Sequence, residues 1–217
     1  HIEACKRSEY ILVLAQQSIR EMKRTGRTAQ QVMDEATFGV FESGYDAGFG
    51  SDADHLKTPE DVDVTAAAGF TFFTIDPSEH VEDGVERMAV AELESLFEQL
   101  PAWGVAGAES WRGNYVGQTF RAGELSVTFD EPTLLKAAVK YGRAVAHAEK
   151  LAKYIARQAP LHELELSVDE TAVPTSVAEH LFIAHELRER GVRLISLAPR
   201  FVGDFEKGID FKWDLGA

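Results

Sequence analysis

The stretch FGSDADHLKTPEDVDVTAAAGFTFFTID, residues 49–76, decides the fold class. Its aromatic and glycine-containing opening, extended backwards over YDAG (45–48), predicts a strand whose C-terminal end carries Asp52, Asp54 and His55. Thr58-Pro59-Glu60-Asp61 reads as a helix start: a capping hydroxyl, proline in the first position, then acids favoured by the helix dipole. That helix is expected to run to Gly69. FTFFTID (70–76) is nearly all apolar until Asp76, which suits a strand buried on both faces. Strand, helix and strand therefore follow one another, with carboxylates where each strand stops.

The same alternation extends outward. Upstream, Ile11, Leu12, Leu14, Ala15, Ile19 and Met22 recur at helical spacing and predict a helix over 3–24. Thr28 starts a second helix that Gly44 ends. Downstream, 87–100 and 131–158 read as helices. Between them, 101–128 is glycine- and tryptophan-rich and reads as an irregular insertion or a short hairpin. LHELELSVDET (161–171) is a strand ending in acids. Thr175 is expected to cap the helix SVAEHLFIAHELRERG (176–191), which Gly191 closes. VRLISLAP (192–199) is a further strand, leading into the loop RFVGDFEKG (200–208).

Strand–helix units repeated about four times imply parallel strands with helices outside. Polar residues collect just after each strand, the pattern of a (β/α) TIM-like barrel whose strand C-termini build the active site. An open doubly wound sheet would place ligands at the same ends, but no G-x-G-x-x-G follows any strand. A closed barrel takes about 250 residues. The expectation for 217 residues is a single α/β domain, 1–217, holding about half of a barrel, with an open sheet as the alternative.

Composition narrows the partners. Hydrophobic residues make up 45% and charged residues 27%, an ordinary globular mixture. A net charge of −14 repels phosphate backbones and argues against nucleic acid. The single cysteine, Cys5, cannot form an internal disulfide, and no signal peptide or membrane-length apolar run is visible, so the expectation is cytoplasmic. Composition leaves the oligomeric state open.

SDADHLKT (51–58) gathers two carboxylates, an imidazole and the Lys57 ammonium at a strand-to-helix turn. His and Asp are ordinary ligands for zinc, nickel, iron or manganese. A turn cap at Asp54 with solvated His55 and Lys57 would look the same. Alternation in ELELSVDET puts Glu165, Ser167 and Asp169 on one face and Glu170 at the strand end. An inward carboxylate there would be a site candidate, because buried charge needs a partner. Asp76, before Pro77, is either a turn residue or a site acid. Arg200 and Lys207 could hold a substrate carboxylate or form surface ion pairs. His147, His180 and His185 lie on helices without ligand spacing and read as structural or solvated.

Four stretches carry a resemblance: FGSDADHLKT, AAAGFTFFTIDPSEHV, LELSVDETAVPTSVAEHLFIAHELRERGV and SLAPRFVGDFEKGID. On these the sequence resembles the tagaturonate epimerase family. The resemblance implies a longer, metal-dependent TIM barrel interconverting D-tagaturonate and D-fructuronate in hexuronate breakdown. It implies Asp54 as proton acceptor, His55 as ligand of a divalent cation and Glu170 as proton donor, with further histidine ligands outside this chain. Asp52, Lys57, Asp76 and Arg200 are the candidate contacts of a sugar-acid substrate. Another barrel isomerase or aldolase on a sugar acid, or a noncatalytic carbohydrate-binding protein, remains as an alternative.

Overall fold

The computed structural model describes residues 2–203, which fall into two compact units. The first comprises the chain up to Asp76, Ala148–Ser167 and Arg190–Leu197. The second comprises Pro77–His147, Val168–Glu189 and the residues from Ala198. The chain opens with α1 (Ile2–Cys5), β1 (Leu12–Ser18), α2 (Ile19–Thr25), α3 (Ala29–Ser43), β2 (Phe49–Leu56), α4 (Pro59–Ala67) and β3 (Phe72–Ile75). Then come α5 (Val90–Gln99), α6 (Trp111–Tyr115), β4 (Thr119–Ala122), β5 (Leu125–Thr128) and α7 (Glu131–Gln158). The order ends with β6 (Glu163–Ser167), α8 (Val177–Glu189) and β7 (Ser196–Ala198).

One five-stranded sheet runs in the order β1-β2-β3-β6-β7. The pairs β1/β2, β2/β3 and β3/β6 are all parallel. The chain is therefore α/β with a mostly parallel sheet. Five strands replace the expected four, and the added one corrects the predicted helix over 3–24. That region holds the short α1, then β1, then α2. The buried positions of β1 are Leu12, Ala15 and Ser18, three residues apart. Its register against β2 slips between Val13 and Ala15. A bulge of this kind breaks the two-residue alternation and leaves a spacing that mimics a helix.

Capping chemistry places the other helices of the first unit as the sequence indicates. Thr28 and Thr58 each accept a hydrogen bond from the backbone three residues on, and Gln31 and Asp61 bond back to them. Each such cap is worth about 1 kcal/mol. Gly44 ends α3 in the left-handed conformation at φ 59°, which glycine adopts without strain. The core of this unit sits on one face of the sheet, where Ala53, Phe73, Ile75, Leu164 and Leu166 are buried beside Val62 of α4. The opposite face carries most of the polar groups: Asp52 and Asp54 on β2, Thr74 beside Phe72 on β3, and Glu165 on β6.

The second unit packs α5, α6, α8 and the first part of α7 around an aromatic cluster. Trp111 meets Phe182 edge-on at 5.0 Å, and Tyr115 lies against Phe129 and Phe182. Gly142 of α7 lets Leu100 and Trp111 approach to a distance where a Cβ would touch at 3.3–3.4 Å. The expected hairpin within 101–128 is the antiparallel pair β4/β5. The cap of α8 is a correction: Ser176, not Thr175, accepts from Glu179 N and is bonded back by the Glu179 carboxylate. The Thr175 hydroxyl instead accepts from the backbone N–H of Arg200. Both are capping hydroxyls adjacent in sequence, so composition alone does not separate them. Lys207 lies outside the described residues.

Candidate functional site

Asp54 and His55 are consecutive, and regular alternation would point them to opposite faces of β2. The strand prevents that. Its register against β3 shifts between Ala53 and Leu56, and both of those residues are buried on the apolar side. His55 takes up the extra residue with φ 54°, the one positive φ on a non-glycine among the described residues. That backbone conformation is strained for most side chains and tolerated best by Asn, Asp and His. The bulge brings the two side chains together: His55 Nε2 lies 3.6 Å from Asp54 Oδ1.

β3 supplies the other side. Asp76 follows its last residue and is 3% exposed, with its backbone N–H bonded to the Leu56 carbonyl. Its Oδ2 lies 3.3 Å from His55 Nδ1 and 3.5 Å from Lys57 Nζ. His55 thus stands between two carboxylates, and Asp76 meets the Lys57 ammonium as well. A separation of 3.3 Å between an imidazole nitrogen and a carboxylate oxygen is about the edge of a tetrahedral site with bonds near 2.0–2.1 Å. This donor pair suits a divalent cation of the zinc or manganese type.

A polar row crosses the sheet beside this group. Gln16 of β1 donates from Nε2 to Asp54 Oδ2 at 2.9 Å. Thr74 Oγ1 lies 3.1 Å from Asp52 Oδ1 and 3.4 Å from Glu165 Oε1. Thr74 has one hydroxyl hydrogen, so it donates to one carboxylate at a time; a proton on Asp52 allows both bonds. Asp52 is held ready for that proton. Burial first, then the Asp54 charge, push its pKa from 3.8 up to about 7, with Glu165 adding to the rise. The Thr74 hydrogen bond and His55 oppose the shift.

The structure therefore brings Asp52, Asp54, His55, Lys57 and Asp76 together in the first unit. Glu170 and Arg200 belong to the second unit. Glu170 follows the C-terminal end of β6 and is exposed, while Arg200 follows β7 and is braced at its backbone by Thr175 in both directions. The Glu170 turn is tied by the Thr171 hydroxyl, which bonds the Val168 and Val173 carbonyls, and by Asp83, which accepts from Ala172 N. Within the second unit, the helical His147 stacks on His80, and His185 pairs with the Tyr115 hydroxyl. Two members of the polar row escape a reading of the sequence. Gln16 falls inside the expected helix, and the apolar run ahead of Gln16-Gln17 is the available sign of a strand. Thr74 is hidden in a run that reads as nearly all apolar.

The chain matches the family model described as tagaturonate epimerase over residues 1–217. It is 44% identical over 215 residues to the tagaturonate/fructuronate epimerase of Thermotoga maritima, covering 99% of this chain and 44% of that protein. A glycerol-complexed crystal structure of fructuronate-tagaturonate epimerase UxaE from Cohnella laeviribosi superposes with a TM-score of 0.92 at 35% identity. The native structure of the same enzyme gives 0.88 at 34%. Each match covers 100% of this chain and 44% of the solved one. The chain thus spans less than half the length of these relatives.

Proposed function

The chain belongs to the tagaturonate epimerase family, and from that premise we propose that it carries part of the active site of a metal-dependent epimerase. The reaction is interconversion of D-tagaturonate and D-fructuronate in cytoplasmic hexuronate catabolism. The observation that carries this reading is the bulged end of β2, which sets Asp54 and His55 side by side against Asp76.

The architecture in this reading is about half of a (β/α) barrel. A doubly wound sheet is covered by helices on both faces and reads apolar on both. Here one face is apolar and the other bears Asp52, Asp54, Thr74 and Glu165, which fits a barrel interior leading to a substrate. β1 and β7 end the sheet without a further strand among the described residues, as half of a closed barrel would.

The two sugar acids differ at a carbon bearing a hydroxyl beta to the ketone. That C–H is not acidified by the carbonyl, so direct proton exchange is hard. Retro-aldol cleavage is open instead. Asp54 takes the hydroxyl proton, the oxygen becomes an aldehyde, and the electrons of the adjacent C–C bond pass into an enediolate. The aldehyde turns over, the bond re-forms on its other face, and Glu170 protonates the new alkoxide. The role of Glu170 rests on the family likeness of its sequence. His55 and Asp76 would hold the divalent cation, which supplies Lewis-acid stabilisation of developing negative charge. Lys57 fixes the Asp76 carboxylate. Asp52, Lys57 and Arg200 are the proposed contacts of the polar substrate.

The test is turnover of tagaturonate by the full-length polypeptide with added divalent metal in deuterium oxide. Retro-aldol chemistry retains hydrogen on the epimerised carbon; wash-in of deuterium there would reject it for a deprotonation route. Asp54→Asn and Glu170→Gln should each lower turnover by about 10²–10⁴-fold. Sugar binding without turnover would favour a carbohydrate-binding protein, and release of cleaved products would favour an aldolase.

A further inference from the structure

We propose that Gln16 is a positioning residue for Asp54, an inference that rests on the reading of Asp54 as the proton acceptor. A carboxylate base must present one lone pair to the reacting hydroxyl, yet its side chain turns about the terminal bond over a broad range. Asp54 is constrained on two sides. Its Oδ1 faces His55 Nε2 at 3.6 Å, and its Oδ2 accepts from Gln16 Nε2 at 2.9 Å. The amide of Gln16 is suited to this. It donates without carrying charge, it does not titrate, and it cannot exchange a proton with the base it holds.

The neighbouring strand determines the reach. In the β1/β2 register Gln16 stands opposite Asp52 and Ser18 opposite Asp54, so Gln16 meets Asp54 on the diagonal. A diagonal neighbour lies roughly 7–8 Å away, within range of a long side chain and beyond that of a short one. The bulge between Val13 and Ala15 sets which residues of β1 fall on the polar face. Gln16 is exposed, whereas its neighbour Ala15 is buried on the core side. Packing therefore does not fix the identity of residue 16; its side chain is committed to the hydrogen bond with Asp54.

The role is separable from a structural one. In the full-length polypeptide Gln16→Met keeps the volume and removes the donor; Gln16→Glu keeps the shape and sets a second negative charge against Asp54. Gln16→Met should lower kcat by about 10–10²-fold, the scale of a misaligned catalytic group, and Gln16→Glu by at least as much. KM for tagaturonate, thermal midpoint and bound metal should stay close to the parent. In an Asp54→Asn background, Gln16→Met should cost nothing further, because its effect passes through Asp54. A rise in KM with unchanged kcat would overturn the proposal and make Gln16 a substrate contact. Unchanged kinetics in Gln16→Met, with Asp54→Asn impaired, would overturn it alone. Full activity in Asp54→Asn would remove the catalytic reading of Asp54 on which it stands.

Discussion

Removing one partner of the Lys140–Glu179 pair should unfold the chain far more readily than removing both. The pair joins α7 to α8 inside the second unit, with Nζ and Oε1 3.1 Å apart and side chains only 1% and 5% exposed. Burial opposes the Lys140 charge, but the Tyr141 hydroxyl and the Glu179 carboxylate outweigh it, so the ammonium stays protonated beyond the ordinary lysine range. The two ends are not equally satisfied. Glu179 also accepts the Ser176 N–H at 2.7 Å at the start of α8, whereas Lys140 has besides Glu179 only the Tyr141 side chain among the described residues, its ring 5.0 Å away. Glu179→Gln keeps the cap but strands the ammonium, and should cost about 3–5 kcal/mol, the usual penalty for an uncompensated buried charge. Lys140→Met strands a carboxylate that retains its cap bond, and should fall at the lower end, about 3 kcal/mol. The double variant removes both charges, keeps the cap through the amide oxygen of the substituted side chain, and should unfold within about 1 kcal/mol of the parent. Urea unfolding of the four proteins at neutral pH gives the coupling energy directly. Single variants that each cost under about 1 kcal/mol, or a double variant equal to the sum of the singles, would refute the argument.

Two further outcomes follow from the first unit. Folding raises Asp52 from 3.8 to about 7, so the stability this group lends is whole below about pH 4 and declines as pH climbs towards 7. Asp52→Asn, which can still accept from Thr74, should therefore stabilise the chain by about 2–4 kcal/mol at pH 8 and by under about 1 kcal/mol at pH 4.5; an equal gain at both pH values would contradict the shift. In equilibrium dialysis with zinc or manganese, His55→Ala and Asp76→Asn should each weaken binding by at least about tenfold. With His55 and Asp76 alone as ligands, the unaltered chain should lose its metal to a chelator, because a catalytic zinc site takes three protein ligands; stoichiometric retention would mean that a further residue of the chain completes the site.

Much of the fold is legible because local chemistry and tertiary structure agree. Thr28, Thr58 and Pro59 start helices where their chemistry says, Gly44 stops one, and the apolar run ending at Ile75 is a buried strand. The long helix α7 lies where its pattern puts it. The site is partly legible for the same reason: Asp54, His55, Lys57 and Asp76 are polar groups at the ends of strands, and they converge in the first unit. What stays hidden depends on partners. Nothing in ELELS announces that Glu165 shares the Thr74 hydroxyl with Asp52, because that contact is set by the β3/β6 register.

The two failures of sequence pattern in the first unit have one cause, and it bears on function. β1 reads as a helix because its register slips between Val13 and Ala15; the packing of Asp54 beside His55 is unreadable because β2 slips between Ala53 and Leu56. Alternation is the rule by which a strand is recognised, and each slip suspends it. The second slip costs backbone strain at His55 and interrupts pairing, which a merely structural strand has no reason to retain. In return it turns two consecutive chemical groups to one side, within reach of Asp76 from β3 and of Gln16 from β1. A regular β2 would send either Asp54 or His55 into the apolar face with Ala53 and Phe73, where an unpaired charge is not tolerated. The irregularity is therefore the feature that makes the cluster possible, and local rules fail where the chain has been bent to hold it.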